Sequence, residues 1–385
     1  MPDLVNLVRP RLFNRYSGER SNSPVTIDWK VESVPTIILG NEEEDLPSLL
    51  SGQVSLKIGE DQVEIDSFRG SLNVHTTQKK PFKSRCANCK DQHEELQAWS
   101  FLSGETTLSK GSHSFPFSAL IPDHAPASMD NPLLSVSYDF QCEVQFRSKG
   151  KPNSTPQTAR FNREITIRRS LSIPDGPAHS TRSFPSAGIE VSSHIDSIVH
   201  PEAPSKASIT LKGLRRSSGT DENIEMWRLW KGAWKLEEKM KTVVKPCERH
   251  EATNSDGDGD LLRTKTRLLR EKSLYDGWTI TDADGTAQLD FGFGIKRSSS
   301  SQPTYSNDTK SLDGTEVTHL LTVELVLIKE TFPEDSPNLA VRTGGGRILR
   351  LHYRVAMVDD SITGPGCVIE NLPSYHDIWP SPPSY

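Results

Sequence analysis

Cys86-Ala87-Asn88-Cys89 places two thiols two residues apart, a spacing that lets both sulfurs face one cation. Far along the chain, Cys247-Glu248-Arg249-His250 repeats the spacing with a thiol and an imidazole. Together the four could supply a Cys₃His set for a structural Zn²⁺, whose tetrahedral preference suits two such knuckles. His93 follows the first pair by four residues, and His75 precedes it. No thioredoxin-like βαβ pattern surrounds the C-x₂-C, which argues against a redox motif. The competing reading is two separate pairs in surface loops, because they fall in different strand-rich regions.

Other chemistry-bearing patterns fail on spacing. Asp256, Asp258 and Asp260 suggest the start of a calcium loop, but Leu261 stands where its glycine belongs and Arg267 where its glutamate belongs. Thr343-Gly344-Gly345-Gly346-Arg347 lacks the Lys-Ser/Thr of a phosphate loop and precedes a strand, so it is expected to be a turn. No nucleophile–base constellation or paired catalytic carboxylates are visible, and the chain does not read as an enzyme. Arg168-Arg169 and Arg215-Arg216 are short and lack interleaved aromatics, which disfavours nucleic acid as a partner. Arg215-Arg216-Ser217-Ser218 and Lys296-Arg297-Ser298-Ser299 fit basophilic kinase sites, a pattern serine-rich loops often match by chance.

The C-terminal stretch carries two proline–tyrosine motifs, Leu372-Pro373-Ser374-Tyr375 and Pro382-Pro383-Ser384-Tyr385, with Trp379 between them. Proline fixes φ near its polyproline II value, so such a segment loses little entropy on docking. WW domains read PPxY this way, holding the prolines between aromatic rings and the tyrosine in a second pocket. Leu372, Pro373, Tyr375, Pro382, Pro383 and Tyr385 are the expected contacts, and two weak sites gain from effective concentration.

The elements that would position these groups are strands. In Leu134, Val136, Tyr138, Phe140, Cys142, Val144 and Phe146, apolar residues alternate with Ser, Asp, Gln and Glu, one face for a core and one for water. Val54, Leu56 and Ile58, Val63 and Ile65, Leu72 and Val74, Ala207, Ile209 and Leu211, and Leu349 through Met357 repeat the pattern. Leu320 to Ile328 reads as a strand covered on both sides. Ile224 to Val244 is ambiguous, since Trp227, Trp230 and Trp234 fit a helix face whereas Trp234 and Leu236 fit a strand. The expectation is all-β: two tandem sandwiches at 23–173 and 205–360, a disordered Ser/Pro-rich linker at 174–204, polar inserts at Glu248–Asp260 and Ser298–Thr309, and a Pro-rich tail at 361–385.

Composition agrees. The chain has 385 residues, 34% of them hydrophobic, net charge −6 and five cysteines, with mean hydropathy −0.54. An odd, sparse cysteine count argues for a reducing compartment rather than a disulfide framework. The N-terminus has no apolar run of signal-peptide length, and no 18 apolar residues run together, so a cytoplasmic protein with only peripheral membrane contact is expected.

Several segments resemble a known family. Gly111-Ser112-His113-Ser114-Phe115-Pro116-Phe117-Ser118, followed by Ile121-Pro122 and Pro126-Ala127-Ser128, is similar to the N-domain signature of arrestins. Leu49-Leu50-Ser51-Gly52-Gln53, Trp227-x-Leu229 with Trp234 and Glu237-Glu238, and Gly277-Trp278 with Gln288-Leu289-Asp290-Phe291 resemble, in order, elements of the fungal arrestin-related trafficking adaptors, or α-arrestins. Within that family the likeness is to the low-dye-binding subgroup. The resemblance implies two arrestin-type sandwiches, the Trp227–Glu238 element being a strand of the second. It also implies an adaptor that binds cytosolic segments of membrane transporters and recruits a WW-domain HECT-type ubiquitin ligase, with ubiquitin among its partners. Such a protein works in the cytoplasm and is recruited to the plasma membrane, Golgi and endosomes. An arrestin-fold sorting or scaffold subunit that recruits no ligase is the alternative.

Overall fold

A computed structural model describes residues 23–32, 36–39, 48–122, 124–148, 155–171, 177–201, 203–217, 223–251, 260–295, 305–311 and 313–357. The N-terminal body is organised by one hairpin whose arms, Ser48–Gln78 and Asp91–Ile121, are 31 residues each. At about 3.3 Å per residue, a straight arm would run roughly 100 Å, far beyond the depth of a domain, so it must bend. Register breaks between Ile58 and Gln62, Ile65 and Ser67, Phe68 and Arg69, and Leu72 and Asn73 supply the bends. Up to Ile58, before the first break, Ser48–Gln78 pairs with Val25–Val31, and from Val63 onward with Leu134–Ser148. Side chains from both halves enter one core, so the sheet folds over on itself. The expected alternation holds, with Val54, Leu56, Ile65, Leu72, Tyr138, Phe140 and Val144 all buried.

Phe117 fixes the first half against the second. It is 4% exposed, and its ring centroid lies 4.6 Å from Phe140 and 5.6 Å from Trp99. Gly52 opposite makes this possible, because a Cβ there would sit 2.8 Å from the Phe117 ring.

The second body is a sandwich. Trp278–Thr281, Thr286–Phe293, Ser205–Lys212, Ile189–Ile195 and Ala178–Phe184 form one sheet in that order. Val341–Met357, Glu316–Pro333, Asn223–Val244 and Leu261–Leu274 form the main part of the other, and both sheets share a core around Trp234, Leu236, Leu325 and Leu351. Ala178–Phe184 and Ile189–Ile195 fall inside the stretch expected to be a linker. Ile189, Val191 and Ile195 do alternate, but the buried position between them is Ser193, and surrounding Pro and Ser obscure the pattern.

Asn223–Val244 is a strand throughout. A bulge between Leu229 and Lys231 shifts its phase, which is why its three tryptophans mimic a helix. Trp234 is buried, Trp227 half-buried and Trp230 exposed. The Thr343–Arg347 segment, expected to be a turn, lies within strand Val341–Met357, where Thr343, Gly344 and Gly345 form a bulge opposite Lys329. In Glu316–Pro333, Leu321, Val323, Leu325 and Leu327 are buried, whereas Leu320, Val326 and Ile328 are half-buried. The α-helices among the described residues are two single turns, Ala87–Lys90 and Glu248–Glu251. Among the described residues no helix is long and apolar enough to cross a membrane.

Glu238 lies on the apolar face of Asn223–Val244 with no solvent exposure. It accepts hydrogen bonds from Arg267 Nη2 at 2.8 and 2.9 Å and from the Ser306 N–H at 2.8 Å, and His319 Nε2 stands 3.5 Å away. The other ring nitrogen of His319 bonds Asp308, which also accepts the Met357 N–H at 3.1 Å. Ser306, Asn307, Asp308 and Thr309 are thereby buried, although this part of the serine-rich segment was expected to be a polar insert. Two residues on from Glu238 and two before His319, Met240 and Val317 pack into the core of the first body.

Burial alone would lower the His319 pKa, but Asp308 and Glu238 outweigh it and raise it from 6.5 to about 9. Because the folded value is the higher one, this stabilisation is full below pH 6.5 and is lost as pH rises through about 9. Thermal melting followed from pH 6 to 10 should show that loss, and His319→Gln should remove this component of the pH dependence. The same substitution removes the cation between two buried carboxylates and should cost about 3–5 kcal/mol in denaturant unfolding near neutral pH. Phe117→Ala should open a cavity in the first body and cost roughly 3–5 kcal/mol. A variant that melts like the parent would show that this ring does not hold the two halves together.

Candidate metal centre

Each knuckle closes the tip of a hairpin. Cys86 and Cys89 lie between the arms Ser48–Gln78 and Asp91–Ile121, where the Ala87–Lys90 turn begins with Lys90 N–H donating to Cys86 O at 3.2 Å. Cys247 and His250 lie between Asn223–Val244 and Leu261–Leu274, paired up to Val244 and Leu261. There His250 N–H donates to Cys247 O at 2.7 Å. One hairpin belongs to each body, and their tips meet.

Cys86 Sγ is 3.7 Å from Cys247 Sγ. His250 Nδ1 lies 3.3 Å from Cys89 Sγ and 3.2 Å from Cys247 Sγ. All four ligand atoms fall within 4.8 Å of one another. A tetrahedron with zinc–sulfur bonds of about 2.3 Å has sulfurs roughly 3.8 Å apart, close to the spacing found. The cysteines are free thiols, Cys89 is buried, and the other three ligands are half-buried.

The electrostatics also favour a cation. The backbone N–H of Cys89 chiefly lowers the pKa of the Cys86 thiol. Burial, followed by the neighbouring Cys89 and Cys86 sulfurs, raises that of Cys247. In such a set each ionised sulfur discourages the next, and a bound cation removes the conflict. The cluster could hold a metal, and the donor set, three soft sulfurs and one imidazole, suits Zn²⁺.

Not every residue named from the sequence joins this site. His75 and His93 stack on each other at 4.1 Å, and His75 Nε2 faces Asp91 at 3.6 Å. The calcium-like aspartates Asp256 and Asp258 lie outside the described residues, as do Leu372, Pro373, Tyr375, Pro382, Pro383 and Tyr385. The Glu238–His319 cluster was not anticipated. Its signal was an acidic residue in phase with Trp234, Leu236 and Met240.

Residues 70–253 match the profile of the LDB19 family, described as arrestin N-terminal like, a span that contains all four candidate ligands. An uncharacterized protein of Schizosaccharomyces pombe is 26% identical over 386 residues, covering 100% of this chain and 93% of the relative. A second from the same yeast is 27% identical over 368 residues, covering 94% of each. Protein LDB19 of Eremothecium gossypii is 24% identical over 262 residues, covering 64% of this chain but 37% of that longer protein. Over residues 70–253 and in its all-β arrestin-like fold, the chain is similar to the arrestin-related LDB19 family.

Proposed function

We propose that the chain is a trafficking adaptor linking plasma-membrane transporters to a WW-domain HECT-type ubiquitin ligase, so that the transporter is ubiquitinated and endocytosed. The observation that carries this reading is the pair of proline–tyrosine motifs, at Leu372-Pro373-Ser374-Tyr375 and Pro382-Pro383-Ser384-Tyr385, on a chain similar to this family. The tail binds the ligase, the two bodies bind cytosolic segments of the cargo, and the chemistry on ubiquitin belongs to the ligase. The adaptor acts in the cytoplasm and at the membrane face where cargo resides.

Titration with isolated WW domains tests it. The chain should bind, and Tyr375→Ala with Tyr385→Ala should abolish binding without changing the melting temperature. Pro382-Pro383-Ser384-Tyr385 should be the stronger site, because Leu372 takes the place of a proline in the other. Equal binding by the double variant would instead favour a sorting subunit that recruits no ligase.

We also infer that Cys86, Cys89, Cys247 and His250 bind a structural Zn²⁺ that clips the two bodies together. Four protein ligands leave no open position for catalysis. The metal would close a loop between residues 161 apart in sequence, worth up to about 5 kcal/mol by loop-closure entropy. Elemental analysis should find about one zinc per chain, and Cys247→Ser with His250→Ala should lose it. Chelation should lower the melting temperature of the parent and leave that variant unchanged. A zinc-free parent protein rules the clip out.

A further inference from the structure

Away from the hairpin tips, the second body holds a cavity of about 290 Å³ lined by Arg216, Glu225, Trp227, Lys329, Gly346 and Arg347, among others. Three cations face one carboxylate there, and that carboxylate is taken, since Lys329 Nζ lies 2.6 Å from Glu225 Oε1. The same ammonium sits 6.0 Å from the centre of the Trp227 ring, which forms a wall. Arg216 and Arg347 have no ion-pair or hydrogen-bond partner among the described residues. Two solvent-exposed guanidinium groups, neither paired among the described residues, therefore share one concave space.

The backbone keeps that space open. Gly188 has φ +63°, and a Cβ there would lie 1.2 Å from Arg216 Nη2, so the missing side chain lets the guanidinium rest on the turn. Lys329 stands opposite Thr343, Gly344 and Gly345, where strand Val341–Met357 bulges, and two of those three have no side chain. A guanidinium presents its N–H groups as a planar fork matched to two oxygens of an oxyanion. Two free forks carry a charge of +2, which suits a phosphate monoester at about −1.5 to −2 better than a carboxylate. A recess of this size admits a protruding side chain, whereas a bilayer surface offers headgroups to a flat or convex face. The geometry points to a phosphate-monoester site formed by Arg216 and Arg347, with Lys329 and Trp227 as its walls, that takes a phosphorylated side chain of a peptide.

Calorimetric titration of the intact chain at low salt tests this, with a glycine-flanked phosphoserine peptide as probe. The same peptide with serine or glutamate, inorganic phosphate, and vesicles containing phosphatidylinositol 4-phosphate are the comparison arms. The phosphopeptide should bind at least about tenfold more tightly than the glutamate peptide. Arg216→Gln and Arg347→Gln should each weaken it by about tenfold or more at unchanged melting temperature. Equal binding of the glutamate peptide, or parent-like binding by both variants, overturns the site. Inorganic phosphate binding as tightly as the peptide overturns the peptide as its ligand, and so does Arg-dependent binding of the vesicles alone.

Discussion

A carboxylate without access to water organises the second body. Ionised Glu238 is tolerable only if positive charge and N–H donors surround it, because leaving a buried charge unpaired costs about 3–5 kcal/mol, a large share of the stability of an ordinary domain. Arg267, His319 and the Ser306 N–H provide them, each from a different segment. Strands Leu261–Leu274 and Glu316–Pro333 and the 305–311 segment must therefore all reach one point on Asn223–Val244. The same strand delivers Met240 to the neighbouring body's core and ends at Val244, three residues before Cys247. Charge neutralisation, interbody packing and the Cys₃His cluster lie on one length of backbone.

The parts of the fold that could be read beforehand are those where one face is apolar and the other wet. Leu134 to Phe146 is such a strand, and its alternation predicts each buried residue correctly. The reading failed where burial is achieved by other means. Ser306 to Thr309 enter the interior through hydrogen bonds, and Ser193 replaces an apolar residue in the Ile189–Ile195 strand. The bulge at Trp230 changes the period itself, which no fixed spacing rule can follow.

The Cys₃His cluster divides in the same way. Ligand type and local spacing are properties of a few adjacent residues, so both knuckles could be named from the sequence. Whether they meet depends on how far each hairpin extends and how the bodies lie, information spread over the intervening chain. Their placement in different bodies counted against a shared site, yet a long hairpin from each body is what brings them together.

The separation of the two knuckles also orders events in time. A ribosome adds about 5–20 residues per second, so the 161 residues between Cys86 and Cys247 take roughly 8–32 s to synthesise. During that interval the first hairpin has its two thiols and nothing to close around. The first body still lacks Val317 of its core at that point, and the cluster forms only when the later hairpin has been made. Tip-to-tip contact is thus a late step in the birth of the molecule, reporting that both halves have folded.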